Sequence, residues 1–162
     1  MKQFILIQIF ILFTLFSCDK KNEEIITPEN QLCENYIVFG HFYGECLGET
    51  CVERFKLTST QIFEDTSDIY PSNNTFTPIY VQLPNDKFIA AQNLMSFFPN
   101  ELLNETNPVI GMPDYSDGGG IYIDYNFNGV HKYWLIDQFK QNVPENYHIF
   151  MDKVNEKISL MQ

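Results

Sequence analysis

The chain has 162 residues, 15% of them aromatic and 44% hydrophobic, which supplies enough apolar side chains for a core and excludes an intrinsically disordered protein. The formal charge is −11, from 21 acidic and 10 basic side chains. Because an acidic surface repels phosphates at long range, nucleic acid is excluded as a partner. The charge favours cationic partners, or simply keeps the protein in solution.

The N-terminus has the pattern of a secretory leader. Lys2 precedes an apolar run over residues 4–16, which only Gln8 and Thr14 interrupt. The run is too short to span a bilayer, which takes about 20 residues, but it has the length of a signal-peptide core. An ordinary secretory signal and a buried apolar helix are the alternatives.

The leader ends in four residues that resemble the lipobox of bacterial lipoproteins. Leu15 stands three residues before Cys18 and the small Ser17 directly before it, whereas Phe16 is bulkier than that pattern usually has. We therefore predict that residues 1–17 are a lipoprotein signal peptide, cleaved before Cys18. The resemblance implies a diacylglyceryl group and an N-linked acyl chain such as palmitate on Cys18, since a single chain holds a protein only marginally.

Residues 18–31 are predicted to be a lipid-anchored flexible tether, because they are mostly polar and bury little apolar surface. Their charged residues loosely resemble the signal that directs lipoproteins of Bacteroidota to the cell surface, and a solvated linker explains them as well. The expected location is the bacterial cell envelope, anchored to the outer membrane on its periplasmic face or at the cell surface. After cleavage, nine basic and 21 acidic side chains leave a formal charge of −12.

Three cysteines remain after Cys18: Cys33, Cys46 and Cys51. Outside the cytoplasm disulfides persist, and a bridge between Cys46 and Cys51 closes a small loop worth about 2 kcal/mol by the chain-entropy relation. Cys33 is then left over, buried or able to pair between molecules. A bridge from Cys33 to one of the other two stays open.

Residues 32–162 are predicted to form a single globular domain that begins with strands. Alternating, β-branched and aromatic residues predict strands over residues 36–43, 52–57, 60–64 and 79–83, with a turn over 44–50 and a long polar loop over 65–77. In the second strand Phe55 and Leu57 share one face, while Arg54 and Lys56 share the other.

Two helices are predicted. Asp86 is placed to cap a helix over residues 87–98, which Pro99 ends. The second helix begins near Pro144 and runs to about residue 160. Its apolar stripe recurs at helical spacing at Tyr147, Met151, Val154, Ile158 and Met161. Residues 100–117, which contain several proline and glycine breakers, are expected to be irregular.

Residues 121–136 predict a β-hairpin, because Asn128 and Gly129 tolerate the positive φ of a type I′ turn. The turn fixes a register in which Phe127 faces Val130, Tyr125 faces Lys132, Ile123 faces Trp134 and Ile121 faces Ile136. Together these elements predict an α+β fold, an antiparallel sheet with two helices packed on one face in a two-layer sandwich.

Three groups of motifs bear on the protein's family. They are Gly44-Glu45-Cys46-Leu47-Gly48-Glu49-Thr50-Cys51 with Phe55-Lys56-Leu57, Gly111-Met112-Pro113-Asp114 with Asp117-Gly118-Gly119-Gly120, and Trp134-Leu135-Ile136-Asp137 with Val143-Pro144 and the last helix. In these motifs the chain resembles small lipoproteins of Bacteroidota with no assigned function. It is more loosely similar to a second uncharacterised Bacteroidota family. The resemblance implies a taxonomic setting, the Bacteroidota, and brings no catalytic residues.

Asp114, Asp117 and the run Gly118, Gly119 and Gly120 are the candidate ligand-binding residues. Glycine permits backbone conformations that are closed to other residues and lets a ligand approach the main chain. The alternative is a flexible lead-in to the hairpin, with the aspartates in turn hydrogen bonds.

No metal and no cofactor is predicted. Residues 124–129 match the start of a calcium loop, but its twelfth position is Leu135, where a bidentate glutamate belongs. His41 near Cys46 and Cys51 makes zinc conceivable, but the spacing fits no standard zinc signature and the disulfide competes for both thiols.

The sequence thus predicts a lipid-anchored envelope lipoprotein that acts as a non-enzymatic binding or interaction domain with an unidentified ligand. Its expected partners are the membrane, through the N-terminal lipid, and an envelope protein, for which residues 44–51 and 114–120 are the candidate surfaces. One alternative is a metal-dependent or hydrolytic envelope enzyme that uses Asp114, Asp117 and His41. Another is a purely structural envelope component.

Overall fold

A seven-stranded sheet organises the domain. The computed structural model describes residues 34–72 and 76–162. The predicted signal peptide, Cys18, the tether and Cys33 lie outside the described residues. The strands are β1 Tyr36–Phe42, β2 Val52–Thr58, β3 Ile62–Asp65, β4 Tyr80–Gln82, β5 Val109–Ile110, β6 Gly120–Phe127 and β7 Val130–Asp137. They are ordered β4-β3-β2-β1-β6-β7-β5, and every pairing is antiparallel except the short parallel contact between β5 and β7.

Two α-helices, α1 (Asn85–Ala91) and α2 (His148–Met161), pack on one face of this sheet. The main core lies between them and the strands, where inward residues such as Phe39, Trp134 and Val154 are almost fully buried. All five residues of the apolar stripe predicted for the last helix are buried. The predicted α+β architecture is therefore confirmed.

The β6–β7 hairpin has the register that its turn predicts. Phe127 pairs with Val130, and Ile123 pairs with Trp134. Both turn residues have positive φ, 51° at Asn128 and 80° at Gly129. The local turn chemistry is thus sufficient to place both strands.

The structure corrects three local predictions. The helix predicted over residues 87–98 is α1 followed by a separate 3₁₀ turn, Leu94–Phe97, because the chain turns at Asn93 and places Leu94 in the core. Pro84, not Asp86, occupies the N-cap position, and no side chain caps the helix. The region predicted to be irregular contains the 3₁₀ turn Asn100–Asn104 and strand β5, which is only two residues long and therefore too short to show a period.

The sheet face opposite the helices, here called the helix-free face, is also partly buried. Val38, Phe42, Val52 and Tyr122 form a small second core on it. A covering segment, residues 66–72 and 76–79, crosses this face, with Tyr70 against Phe42 and Phe76 against Tyr122. None of the described helices has the length and apolar character needed to cross a bilayer.

Candidate functional site

The predicted disulfide is present. Cys46 and Cys51 are bonded, and their Cα atoms lie 5.6 Å apart. The bridge closes the loop between β1 and β2, whose Leu47 is fully exposed. The loop returns to the sheet through a hydrogen bond from the Tyr43 backbone N–H to the Cys51 carbonyl, 2.9 Å long.

The candidate segment over residues 114–120 is a tightly wound turn before β6. Asp114, Ser116 and Asp117 all have left-handed φ values between 52° and 62°, and Gly119 has a φ of 74°. Asp114 Oδ1 accepts the Gly119 N–H at 3.2 Å, and the Asp114 N–H donates to the Gly119 carbonyl at 2.8 Å. Asp114 Oδ2 accepts the Tyr70 hydroxyl at 2.9 Å, so one oxygen of this carboxylate holds the turn and the other joins it to the covering segment.

The three consecutive glycines allow close packing of aromatic rings. A Cβ at Gly118, Gly119 or Gly120 would overlap the ring of Phe139, Tyr43 or Phe42 respectively. A Cβ at Gly44 would likewise overlap the Asp114 carboxylate. The structure thus brings the predicted segments 44–51 and 114–120 together, but side chains occupy the space above each of the three glycines.

The remaining candidate ligands of metals serve local contacts. His41 Nε2 lies 2.9 Å from the Thr50 carbonyl and 3.5 Å from a Glu53 carboxylate oxygen. In the calcium-like run, Asp124 contacts His131 at 2.9 Å and the Asn126 side chain donates to the Glu34 carbonyl. Within the described parts of the chain, no three His, Cys, Asp or Glu side chains are grouped to hold a metal ion.

A cleft of about 220 Å³ opens on the helix-free face. Its floor is Val38 on the central strand β1, and its walls are four aromatic rings and one proline from the sheet and the covering segment. The aromatic residues are Tyr36, Phe76, Tyr80 and Tyr122, and the proline is Pro78. We call this the aromatic cleft.

One cation and one anion face each other across the aromatic cleft. Val38 pairs with Lys56 on β2 and with Asp124 on β6, so the two charged residues flank it in a single row. Both side chains are mostly buried, with 17% of Lys56 and 12% of Asp124 exposed. Burial raises the pKa of the Asp124 carboxyl, and the neighbouring His131 opposes that rise.

Lys56 stands among π faces at its end of the cleft. Its Nζ lies 4.6 Å from the centre of the Tyr36 ring and 5.4 Å from that of Tyr80, within cation–π range. Burial, then the Asp124 charge, raises the pKa of Tyr36 to about 12. Burial raises the pKa values of Tyr80 and Tyr122 as well, so all three phenols stay neutral at physiological pH.

A buried ion pair supports the cleft from beside its floor. Arg54 Nη2 and Asp65 Oδ2 lie 2.7 Å apart, and each side chain is 1% exposed. The Arg54 guanidinium lies 3.7 Å from the centre of the Phe76 ring. Asp65 Oδ1 accepts the N–H groups of Ser67 and Ile79, at the two ends of the covering segment. The pair therefore positions the wall that carries Phe76 and Pro78.

Sequence reasoning missed the aromatic cleft as a site. It did place Arg54 and Lys56 on the strand face opposite Phe55 and Leu57, and that alternation was the available signal. The Phe76 wall gave no signal, because it comes from a loop without periodicity.

Three larger clefts have different linings. One of about 390 Å³ lies beside Lys132 and Trp134, one of about 310 Å³ lies between the start of β1 and α1, and a third of about 290 Å³ is lined by three acidic side chains and two threonines. The second is lined by polar and apolar side chains without a formal charge. In the first, the Lys132 ammonium already donates to the carbonyls of Leu103 and Glu105. The aromatic cleft alone among these four places two mostly buried, opposite charges on either side of an apolar floor.

Comparison of the chain with protein families, with curated proteins and with solved structures found no match in any of the three.

Proposed function

We propose that the protein is a lipid-anchored envelope lipoprotein whose sheet domain is a non-enzymatic binding module, and that its ligand occupies the aromatic cleft. The observation that supports this most strongly is the position of Lys56 and Asp124 on either side of Val38, inside walls made of aromatic rings. Ligand sites are typically concave and mostly apolar, with a small number of polar groups that fix orientation. The aromatic cleft has these features.

The contacts of the residues proposed for an enzyme favour the binding module. The alternative enzyme would use Asp114, Asp117 and His41. Asp114 has both carboxylate oxygens in hydrogen bonds within the fold, and His41 contacts Thr50 and Glu53. These contacts favour a structural role for Asp114 and His41.

The anchor gives this module its location. A lipid on Cys18 places the domain at the outer membrane, on the periplasmic face or at the cell surface, with the membrane as its first partner. Within the described residues, the Glu34 carboxylate pairs with Lys56 at the rim of the aromatic cleft. An envelope protein that docks on segments 44–51 and 114–120 remains compatible with this arrangement.

Two measurements test the two halves of the proposal. Intact mass spectrometry of native material should find a chain that begins at a lipidated Cys18; an unmodified chain that keeps its first seventeen residues would refute the anchor.

For the cleft, ligand-observed NMR with a library of neutral, cationic, anionic and zwitterionic fragments should find binders of the wild-type protein. Val38→Phe, which fills the floor, should abolish their binding. Val81→Phe, at a half-exposed strand residue outside the cleft, controls for the added ring, and fluorescence of the buried Trp134 must show that Val38→Phe is still folded. Equal binding to both variants would show that the cleft is not the site, and turnover of an envelope substrate would favour the enzyme alternative.

A further inference from the structure

The aromatic cleft has opposite charges at its two ends, and this restricts what can fill it. Building on the proposed function, we propose that the cleft binds a small zwitterion with a hydrophobic body, such as a free apolar amino acid. Its carboxylate meets the Lys56 ammonium and its ammonium meets the Asp124 carboxylate.

The register of the sheet fixes the two ends. Lys56 and Asp124 both pair with Val38, from opposite sides, so their Cα atoms are about 10 Å apart, two strand spacings. Both side chains point to the helix-free face and line the same cleft. The floor between them is the aliphatic Val38, above which the α-carbon that carries both charges of an amino acid would lie.

Each of these two buried charged groups has a partner that is much more exposed. Lys56 pairs with Glu34, which is 49% exposed, and Asp124 contacts the ring of His131, which is 54% exposed. Because both partners are about half exposed, each can turn out into solvent and yield its place to a ligand group. One zwitterion replaces both partners at once, and its apolar side chain packs against the aromatic walls.

The charges disfavour ligands that carry only one sign. A cation that reaches Asp124 shares the cleft with the Lys56 ammonium, and an anion that reaches Lys56 shares it with the Asp124 carboxylate. In a partly desolvated site these like charges repel more strongly than they would in water. The volume of about 220 Å³ lies below the usual range for drug-sized ligands, which favours a molecule of amino-acid size.

Three probes with one phenyl ring separate the possibilities by isothermal titration calorimetry at low salt. They are L-phenylalanine, which carries both charges, 2-phenylethylamine, which carries only the ammonium, and 3-phenylpropionate, which carries only the carboxylate. With the purified full-length protein we expect phenylalanine to bind at least about tenfold more tightly than either of the others, since each charged contact is worth that much or more.

Variants then assign each charge to its end of the cleft. Lys56→Met should weaken the binding of phenylalanine at least about tenfold without weakening that of phenylethylamine. Asp124→Asn should weaken the binding of phenylalanine without weakening that of phenylpropionate. Glu34→Gln removes the carboxylate that competes for Lys56. It should therefore raise the affinity for phenylalanine and phenylpropionate but not the affinity for phenylethylamine. Lys140→Met and Asp152→Asn, from an exposed ion pair outside the cleft, are matched controls that should change nothing.

Fluorescence of the buried Trp134, the protein's single tryptophan, checks that each variant is folded. The Glu34→Gln result keeps the proposal falsifiable if a cleft variant fails to fold, because Glu34 is half exposed at the rim.

The zwitterion proposal fails if a singly charged probe binds as tightly as phenylalanine, if Glu34→Gln leaves the affinity for phenylalanine unchanged, or if none of the three probes binds. The proposed function is tested separately, because fragments of any charge that bind the wild type should not bind Val38→Phe. The two tests together distinguish failure of the zwitterion proposal from absence of a binding site in the aromatic cleft.

Discussion

Replacing Asp65 with asparagine should destabilise the domain strongly, although the substitution keeps the size and one oxygen of the side chain. Asp65 Oδ1 accepts the Ser67 and Ile79 N–H groups, and an asparagine oxygen can keep both hydrogen bonds. What is lost is the negative charge 2.7 Å from the Arg54 guanidinium, in a pair whose side chains are each 1% exposed. The substitution therefore isolates the effect of one buried charge.

The expected loss is about 3–5 kcal/mol in the free energy of unfolding, because removal of one partner leaves a buried cation uncompensated. That is a large fraction of the roughly 5–15 kcal/mol that stabilises an ordinary domain. The double variant Arg54→Met with Asp65→Asn carries no buried charge here, so it should recover most of the loss. Asp152→Asn, which breaks the exposed pair with Lys140, should cost no more than about 1 kcal/mol.

Urea denaturation measures these differences. Its natural reporter is Trp134, which is 1% exposed and should report unfolding through its fluorescence. The reasoning is refuted if Asp65→Asn costs less than about 1 kcal/mol, the value typical of an exposed pair. It is also refuted if the double variant is less stable than the single one. Because the pair positions Phe76, Asp65→Asn should in addition weaken ligand binding in the aromatic cleft.

The other predictions concern the cleft carboxylate, the glycine run and the disulfide. Burial raises the folded-state pKa of Asp124 above its unfolded value, so the ionised carboxylate lowers stability. Asp124→Asn should therefore raise the free energy of unfolding at pH 7, and this gain should shrink as the pH falls through the raised pKa. Urea denaturation across pH 4–8 measures the gain, and a variant less stable than wild type at pH 7 would contradict the prediction. Gly119→Ala should lower the thermal midpoint more than Gly129→Ala does. The positive φ costs alanine about 1–2 kcal/mol of stability at either site, but only at Gly119 does the new methyl group also overlap an aromatic ring. Equal losses would show that packing against this ring is unimportant. Replacing Cys46 and Cys51 with serine should cost about 2 kcal/mol of unfolding free energy, measured without reductant, and an unchanged denaturation midpoint would argue against the bridge.

The sequence was sufficient for the parts of the fold that local chemistry controls. The Asn128-Gly129 turn alone places β6 against β7, and helical spacing identifies the buried face of α2. It failed where distant segments decide the outcome. β5 is two residues long and is held by β7, and the turn at Asn93 follows from burial of Leu94 in the core.

The candidate site shows the same division. Asp114, Asp117 and the glycine run stood out because glycine is conspicuous in a sequence, yet the rings that explain Gly118 and Gly119 come from Phe139 and Tyr43 elsewhere in the chain. The aromatic cleft did not stand out, because the residues that line it come from five different segments. Strand alternation placed Lys56 on the correct face, but nothing local could show that Asp124 lies on the other side of Val38.

The most direct test of this account is a titration of the ¹⁵N-labelled protein with L-phenylalanine, followed by two-dimensional NMR. The account predicts that the largest shifts centre on the backbone amides of Val38, Lys56 and Asp124 and saturate together. Shifts that centre instead on Tyr115, Gly118 and Gly119, or no shifts at all, would contradict it.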